Sequence, residues 1–180
     1  LIFLRYNSTM FDKDRPVYKL NLKKELKNKK DEIVKDILKT KHEPNKTASY
    51  SFEVFTKHND YLYDLFIKKS KELLNNFTIK DPNLKVWCYF TGLGNQKEDS
   101  WHNHARTSTI NSVIYLETVK DHGIKFEIGK ECWYVEPKAF DLLIFPGFLN
   151  HKPVTSSTHK RISLNLELKC NEEDKAIFRL

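Results

Sequence analysis

Trp101-His102-Asn103-His104 places two imidazoles at positions i and i+2. In an extended segment such positions point the same way, so both rings face one side, where neutral imidazoles can take adjacent sites on one metal ion. The pair also suits an exposed loop, so its chemistry depends on what else converges on it. A second stretch, Phe145-Pro146-Gly147-Phe148-Leu149-Asn150-His151, carries a hydrophobic strand into a Pro-Gly turn and then offers a further ligand in His151. Ten residues after His151 stands Arg161, with Ser163 on the same strand face. A planar guanidinium can bind both oxygens of a terminal carboxylate, and a neighbouring serine hydroxyl can donate one more hydrogen bond. Candidate metal ligands and a carboxylate grip therefore occur in one spaced set.

The elements that must position this set divide the chain in two. The first part is helical. Val17 to Leu22 can form a strand, and Lys23 to about Lys41 a helix with Leu26, Ile33 and Ile37 on one apolar side, beside Val34 and Leu38. His42-Glu43-Pro44 ends it, because the residue before proline avoids helical dihedrals. Asn59 or Asp60 can cap a second helix, in which Leu62, Leu65, Phe66, Leu73 and Phe77 keep the helical period. Asp81-Pro82-Asn83 then reads as a turn.

Beyond it the period falls to two. Lys85 to Thr91, Ile110 to Glu117, Ile124 to Ile128, Cys132 to Val135, Phe140 to Phe145 and Arg161 to Leu168 are expected strands. Gly92 to Gly94, Asp121 to Gly123 and Pro146-Gly147 supply turns between them. In the last strand Arg161, Ser163, Asn165 and Glu167 share one face, and Ile162, Leu164, Leu166 and Leu168 the other. Such alternation suits a surface strand, or a barrel wall whose polar face lines a cavity while its apolar face packs on helices. The expectation is one α+β domain over residues 1–180, mainly β. Residues 1–83 buttress a β-sandwich core formed by residues 84–180.

Composition narrows the class further. Twelve Phe, 8 Tyr and 3 Trp in 180 residues argue for a packed core and against disorder. No apolar run has the length of a membrane span, and Leu1 to Arg5 lack the pattern of a secretory signal. Cys88, Cys132 and Cys170 are scattered and odd in number, which predicts reduced thiols and a cytoplasmic setting. Much of the +7 net charge lies between Lys19 and Lys41, among Glu25, Asp31, Glu32 and Asp36, a mixture expected of a solvated helix face. The excess leans toward an anionic substrate and leaves nucleic-acid binding open. His42, His58, His122 and His159 have no spacing partner and are expected at the surface, and Cys132-Trp133-Tyr134 in the core. Trp87 and Trp101 read as packing residues that could also gate a cavity, and Gly92-Leu93-Gly94 is too short for a phosphate loop.

The segments WHNHARTSTINSVIYLE, DLLIFPGFLNHKPV and KRISLNLEL resemble the 2-oxoglutarate/Fe(II)-dependent oxygenases, particularly small phage and marine-bacterial members, over roughly residues 85–170. The resemblance implies a double-stranded β-helix of jelly-roll or cupin-like form with N-terminal buttressing helices. It also implies a cytoplasmic enzyme of a bacterium or phage-infected cell. Carried over, His102 matches the first iron ligand, His151 the distal ligand, and Arg161 with Ser163 the 2-oxoglutarate clamp. Tyr115 matches a tyrosine that bonds the same carboxylate, and by strand parity Asn111 and Val113 share its cavity face. Fe(II), 2-oxoglutarate and dioxygen are the implied cofactor and co-substrates. The implied activity is a hydroxylase-type oxidation of an unidentified substrate coupled to decarboxylation of 2-oxoglutarate.

The departure from the family pattern is His104, where an Asp or Glu ligand is usual. Strand parity favours His104 as the third ligand of an all-histidine site; Glu117 or Asp99 supplying the acid, or a degraded site, are the alternatives. Three protein ligands leave three positions on an octahedral iron for 2-oxoglutarate and dioxygen. Two other functions compete: a cupin-type enzyme that works without 2-oxoglutarate, and an inactive binding module of the same fold. Cupins usually carry a Glu soon after the His-x-His pair, and Ala105 to Ile110 contains no acid.

Overall fold

The computed structural model describes residues 15–39, 43–44, 49–50, 58–91, 100–154 and 161–180. Strand β1 (Tyr18–Asn21) leads into α1 (Lys23–Leu26) and α2 (Lys30–Lys39), followed by the short β2 (Glu43–Pro44) and β3 (Ser49–Tyr50) and by α3 (Asn59–Leu73). The strand-rich part holds β4 (Ile79–Thr91), β5 (Ile110–Glu117), β6 (Gly123–Ile128), β7 (Glu131–Val135), β8 (Asp141–Pro146), β9 (Asn150–Val154) and β10 (Arg161–Cys170), and α4 (Asp174–Phe178) follows. Two antiparallel sheets result, one in the order β1-β8-β5-β10-β4-β3-β2 and a smaller one in the order β7-β6-β9. Facing sheets of this form make the expected double-stranded β-helix.

β10 shows why the two-residue period mattered. It lies between β4 and β5, so both its edges are paired. Ile162, Leu164, Leu166 and Leu168 join a core with Leu26, Ile33 and Ile37 from the first helices and Leu62 and Phe66 from α3. Each such side chain taken out of water contributes about 1.5–3 kcal/mol. The opposite face is also sequestered, with Arg161, Ser163 and Glu167 buried. The barrel-wall alternative is therefore the one adopted. Across the interior, Val113, Tyr115, Leu143 and Phe145 of the large sheet pack on Ile124 and Phe126 of the small one.

Several expectations are corrected. The helix expected over residues 23–41 is two helices, and Leu38 is largely exposed. Asp81-Pro82-Asn83 lies within β4 and not in a turn. Lys169 pairs with Asp81 while Glu167 pairs with Lys85, so β4 carries extra residues at a bulge, where a proline that cannot donate is tolerated. β9 lies outside the expected strands; its Pro153 stands in an edge strand of the small sheet. His58 and His122 are buried, not at the surface. The His58 ring Nε2 lies 2.8 Å from Asp36 Oδ2, tying the start of α3 to α2. Cys132 and Tyr134 are exposed, whereas Trp133 packs on the inner cluster. His42, His159, Asp99 and Gly92 to Gly94 lie outside the described residues, as do the side chains of Cys88 and Trp87. Among the described residues no helix is long and apolar enough to cross a membrane.

Candidate metal centre and carboxylate pocket

Residues 102–104 run alongside the open edge of β9. The His102 amide donates to the His151 carbonyl at 3.1 Å, and the His151 amide donates back at 2.9 Å. Two residues on, the His104 amide donates to the Gly147 carbonyl at 2.8 Å. This short ladder fixes His102 and His104 on one side, as parity predicted. Asn103 faces the other way and donates from Nδ2 to Asn150 Oδ1 at 2.7 Å. The ladder also brings in His151 from the third chain position. The ligand atoms that His102, His104 and His151 can offer all lie within 4.8 Å of one another.

Each ring is held by its Nδ1. That of His102 lies 3.0 Å from the Ser100 carbonyl, and that of His151 lies 2.9 Å from the Leu149 carbonyl. The Nδ1 of His104 lies 2.9 Å from Glu167 Oε1. All three partners accept, so the network assigns the proton to Nδ1 and leaves the Nε2 lone pair for a metal. His151 is buried against Phe126 and Phe145, with ring centroids 6.2 and 4.9 Å away. Burial first, and then the two neighbouring imidazoles, push its pKa down to about 3, so it is neutral and competent as a ligand at physiological pH.

That shift has a measurable consequence. The unfolded chain takes up a proton on this residue near pH 6.5, and the folded chain only near pH 3. Between those values the unfolded state holds more protons, so metal-free protein loses stability as pH falls. The His151 contribution should be up to about 1.4 kcal/mol per pH unit in that window. Denaturant titrations at several pH values should show this slope in the native chain and a shallower one in His151→Gln.

The tight turn after β8 is equally constrained. A Cβ on Gly147 would run into the Ser108 carbonyl oxygen, while the Gly147 amide donates to Thr109 at 2.9 Å and its carbonyl holds His104. Gly147→Ala should therefore destabilise the fold by about 1–3 kcal/mol. It should also weaken metal binding by moving the His104 segment, which denaturation and Co(II) titration of the same sample would measure.

The candidate carboxylate grip lies further along the inner face of β10. Arg161 is fully buried; its guanidinium donates to the Gly123 carbonyl at 3.0 Å and to the hydroxyls of Tyr115 and Ser163, each at 3.4 Å. Its guanidinium carbon also lies 4.8 Å from the centre of the Tyr115 ring. Burial raises the Tyr115 phenol above its ordinary pKa, against the opposing pull of Arg161, so it keeps its proton. Both hydroxyls accept from Arg161 and so have their own protons to donate. Two residues past Ser163 on β10, Asn165 Nδ2 is buried with no hydrogen-bond partner among the described residues, and so is Asn111 Nδ2 on β5, opposite Glu167. The Asn111 amide oxygen is engaged by the Ser108 hydroxyl. An orphaned donor such as Asn165 Nδ2, on the same strand face as a buried cation, favours an anionic occupant.

The residues singled out from the sequence are thus brought together: His102, His104 and His151 as one cluster, and Arg161, Ser163, Tyr115 and Asn111 on one inner wall. Glu117 is not part of it. A register shift in the β5–β10 pairing opposes Glu117 to Ile162, and its carboxylate lies 4.0 Å from Lys30 of α2. Glu167, outside the expected site residues, also joins the cluster through His104, and its place on the Arg161 face of β10 is the sequence signal for it. Trp101 is exposed beside Lys152, whose ammonium lies 5.5 Å from the ring centre.

No protein-family model and no curated protein matches the sequence. Solved structures match in fold. An oxidoreductase of the 2OG-Fe(II) oxygenase family from Burkholderia pseudomallei aligns with a TM-score of 0.62 and 13% identity, over 86% of this chain and 85% of its own. A Trichoplax adhaerens prolyl hydroxylase, in complex with a hypoxia inducible factor oxygen degradation domain peptide fragment, gives 0.62, 13%, 86% and 83% by the same measures. A Pseudomonas putida prolyl-4-hydroxylase gives 0.55, 14%, 79% and 84%. The chain therefore has the double-stranded β-helix fold of the 2OG-Fe(II) oxygenases.

Proposed function

We propose that the protein is an Fe(II)- and 2-oxoglutarate-dependent dioxygenase, a hydroxylase whose prime substrate is unidentified. The observation that carries this reading is the pairing of three Nδ1-anchored imidazoles with a buried Arg161–Tyr115–Ser163 group on one inner wall. Three neutral nitrogen donors with no thiolate among them suit a divalent first-row metal such as iron. His102, His104 and His151 would hold the ion, and when bound it supplies redox chemistry toward dioxygen that no side chain here provides.

The chain's own residues account for the remaining work. Arg161 supplies a fixed charge for the distal carboxylate of a dicarboxylic co-substrate, and Tyr115 and Ser163 add neutral donors. Asn165 offers its amide partway along β10, where the keto-acid end of a molecule lying between Arg161 and the histidines would pass, and Asn111 on β5 offers another opposite Glu167. Phe126 and Phe145 wall His151 with apolar surface and keep bulk water from that side. His102 is the exposed member of the three, and the prime substrate would approach from its side.

Anaerobic titration of Fe(II)-loaded protein with 2-oxoglutarate tests the reading. A weak visible charge-transfer band should grow with the co-substrate, and aerobic turnover should release succinate. Stoichiometric iron with no band would overturn the co-substrate assignment. A band without succinate in the presence of oxygen and candidate substrates would indicate a binding module.

A further inference from the structure

We infer that Glu167 is a positioning residue for the metal, carrying through its bond to His104 the negative charge that a directly coordinating carboxylate would have brought. Glu167 sits on β10, paired on both sides, with its side chain 5% exposed. One oxygen lies 2.9 Å from the His104 Nδ1, and the other lies 3.3 Å from the Thr107 hydroxyl. Thr107 in turn belongs to the turn that closes on the His104 carbonyl, its amide donating there at 2.9 Å. A buried carboxylate is costly unless held by specific donors, and both donors here come from the His104 segment.

The arrangement does two things to His104. It fixes the ring orientation and tautomer, so that Nε2 is the donor atom. It also makes that nitrogen a stronger donor, because an imidazole bonded to a carboxylate shares its charge. The other two rings are held by neutral backbone carbonyls, so the asymmetry falls on the one position where this sequence departs from the family pattern. The His104 substitution and the buried Glu167 thus form one unit, with the charge moved one bond outward and kept in the site.

The inference rests on the three-histidine metal reading and is independent of 2-oxoglutarate, so its test uses Co(II) alone. Co(II) affinity and the visible spectrum of the Co(II) protein are measured for four chains: native, Glu167→Gln, His104→Asp, and the double variant. In the native background Glu167→Gln should weaken Co(II) binding roughly 10- to 100-fold and shift the visible bands. In the His104→Asp background, where a carboxylate is already present and Glu167 can only repel it, the same change should not weaken binding. Equal losses in both backgrounds, or a loss under about 3-fold with His104 present, would assign Glu167 a purely structural role and overturn the proposal.

Thr107→Val removes only the hydroxyl on the far oxygen and guards against misfolding of the Glu167 variant. It should cost a few-fold in affinity with His104 and nothing with His104→Asp, and equal effects in both would count against the proposal. If the native chain binds no Co(II), the metal reading itself fails and this inference with it. If Co(II) binds and 2-oxoglutarate does not, only the co-substrate reading fails.

Discussion

His151→Ala should abolish stoichiometric Fe(II) retention, lowering metal affinity by at least roughly 100-fold, beyond what loss of an outer hydrogen-bond partner costs. The ring supplies one of three convergent nitrogens, and among the described residues no acid stands with the three histidines as a fourth potential ligand. It is also the most deeply buried of the three, neutral and locked by its bond to the Leu149 carbonyl, so it meets a metal without reorganisation. The fold should survive the change. β9 is held by backbone pairing with β6, and His102 bridges to the backbone of residue 151, not to its ring. Iron content after desalting, with circular dichroism on the same sample, gives the answer. Retained iron with native structure would mean that a different ligand set holds the metal.

Arg161→Ala should leave iron binding intact and remove 2-oxoglutarate binding. Truncating one partner of a buried, hydrogen-bonded charge pair costs about 2–5 kcal/mol, or roughly 30- to several-thousand-fold in affinity. Arg161→Lys should fall between, because an ammonium keeps the charge but cannot form two parallel bonds to one carboxylate. Some loss of stability accompanies the alanine change, since the Gly123 carbonyl and two hydroxyls each lose a donor. The charge-transfer titration separates the effects: native iron stoichiometry with no band is the expected result. An unchanged titration midpoint would move the carboxylate site elsewhere in the cavity.

These two variants divide the site as the fold does. His151 belongs to the small sheet, and Arg161 to the large one. A ligand held by both would span the space between the sheets, while the helices and the apolar face of β10 bury the far side of the wall. The arrangement explains why β10 can present four polar residues inward without losing stability. The outward leucines and isoleucine anchor the strand, and most of the inward polar groups hydrogen-bond one another or neighbouring segments.

Much of this was legible along the chain, and for one reason. The two-residue period is a local property, so β5 and β10 could be bounded and their faces assigned from the order of residues alone. His102 and His104, two apart, had to share a side, and Arg161, Ser163 and Glu167 had to share another. What depended on distant contacts was not legible. Asp81-Pro82-Asn83 carries the composition of a turn, yet pairing with β10 draws it into a strand and expresses the proline as a bulge. β9 has too little alternation to announce itself and exists because β6 and residue 102 pair with it. His58 and His122 gave no sign of burial, since that depends on which elements fold over them.

Residue order alone specifies the strand periods, the facing of the His-x-His pair and the two faces of β10, because side-chain direction follows from backbone geometry within a few residues. Which face of β10 turns inward, and that Glu167 meets His104 while Glu117 does not, are settled by long-range docking, because each depends on how segments distant in sequence pack. A one-residue shift in register sends Glu117 to the helices, and a loop closing over β10 brings His104 to a carboxylate more than sixty residues away.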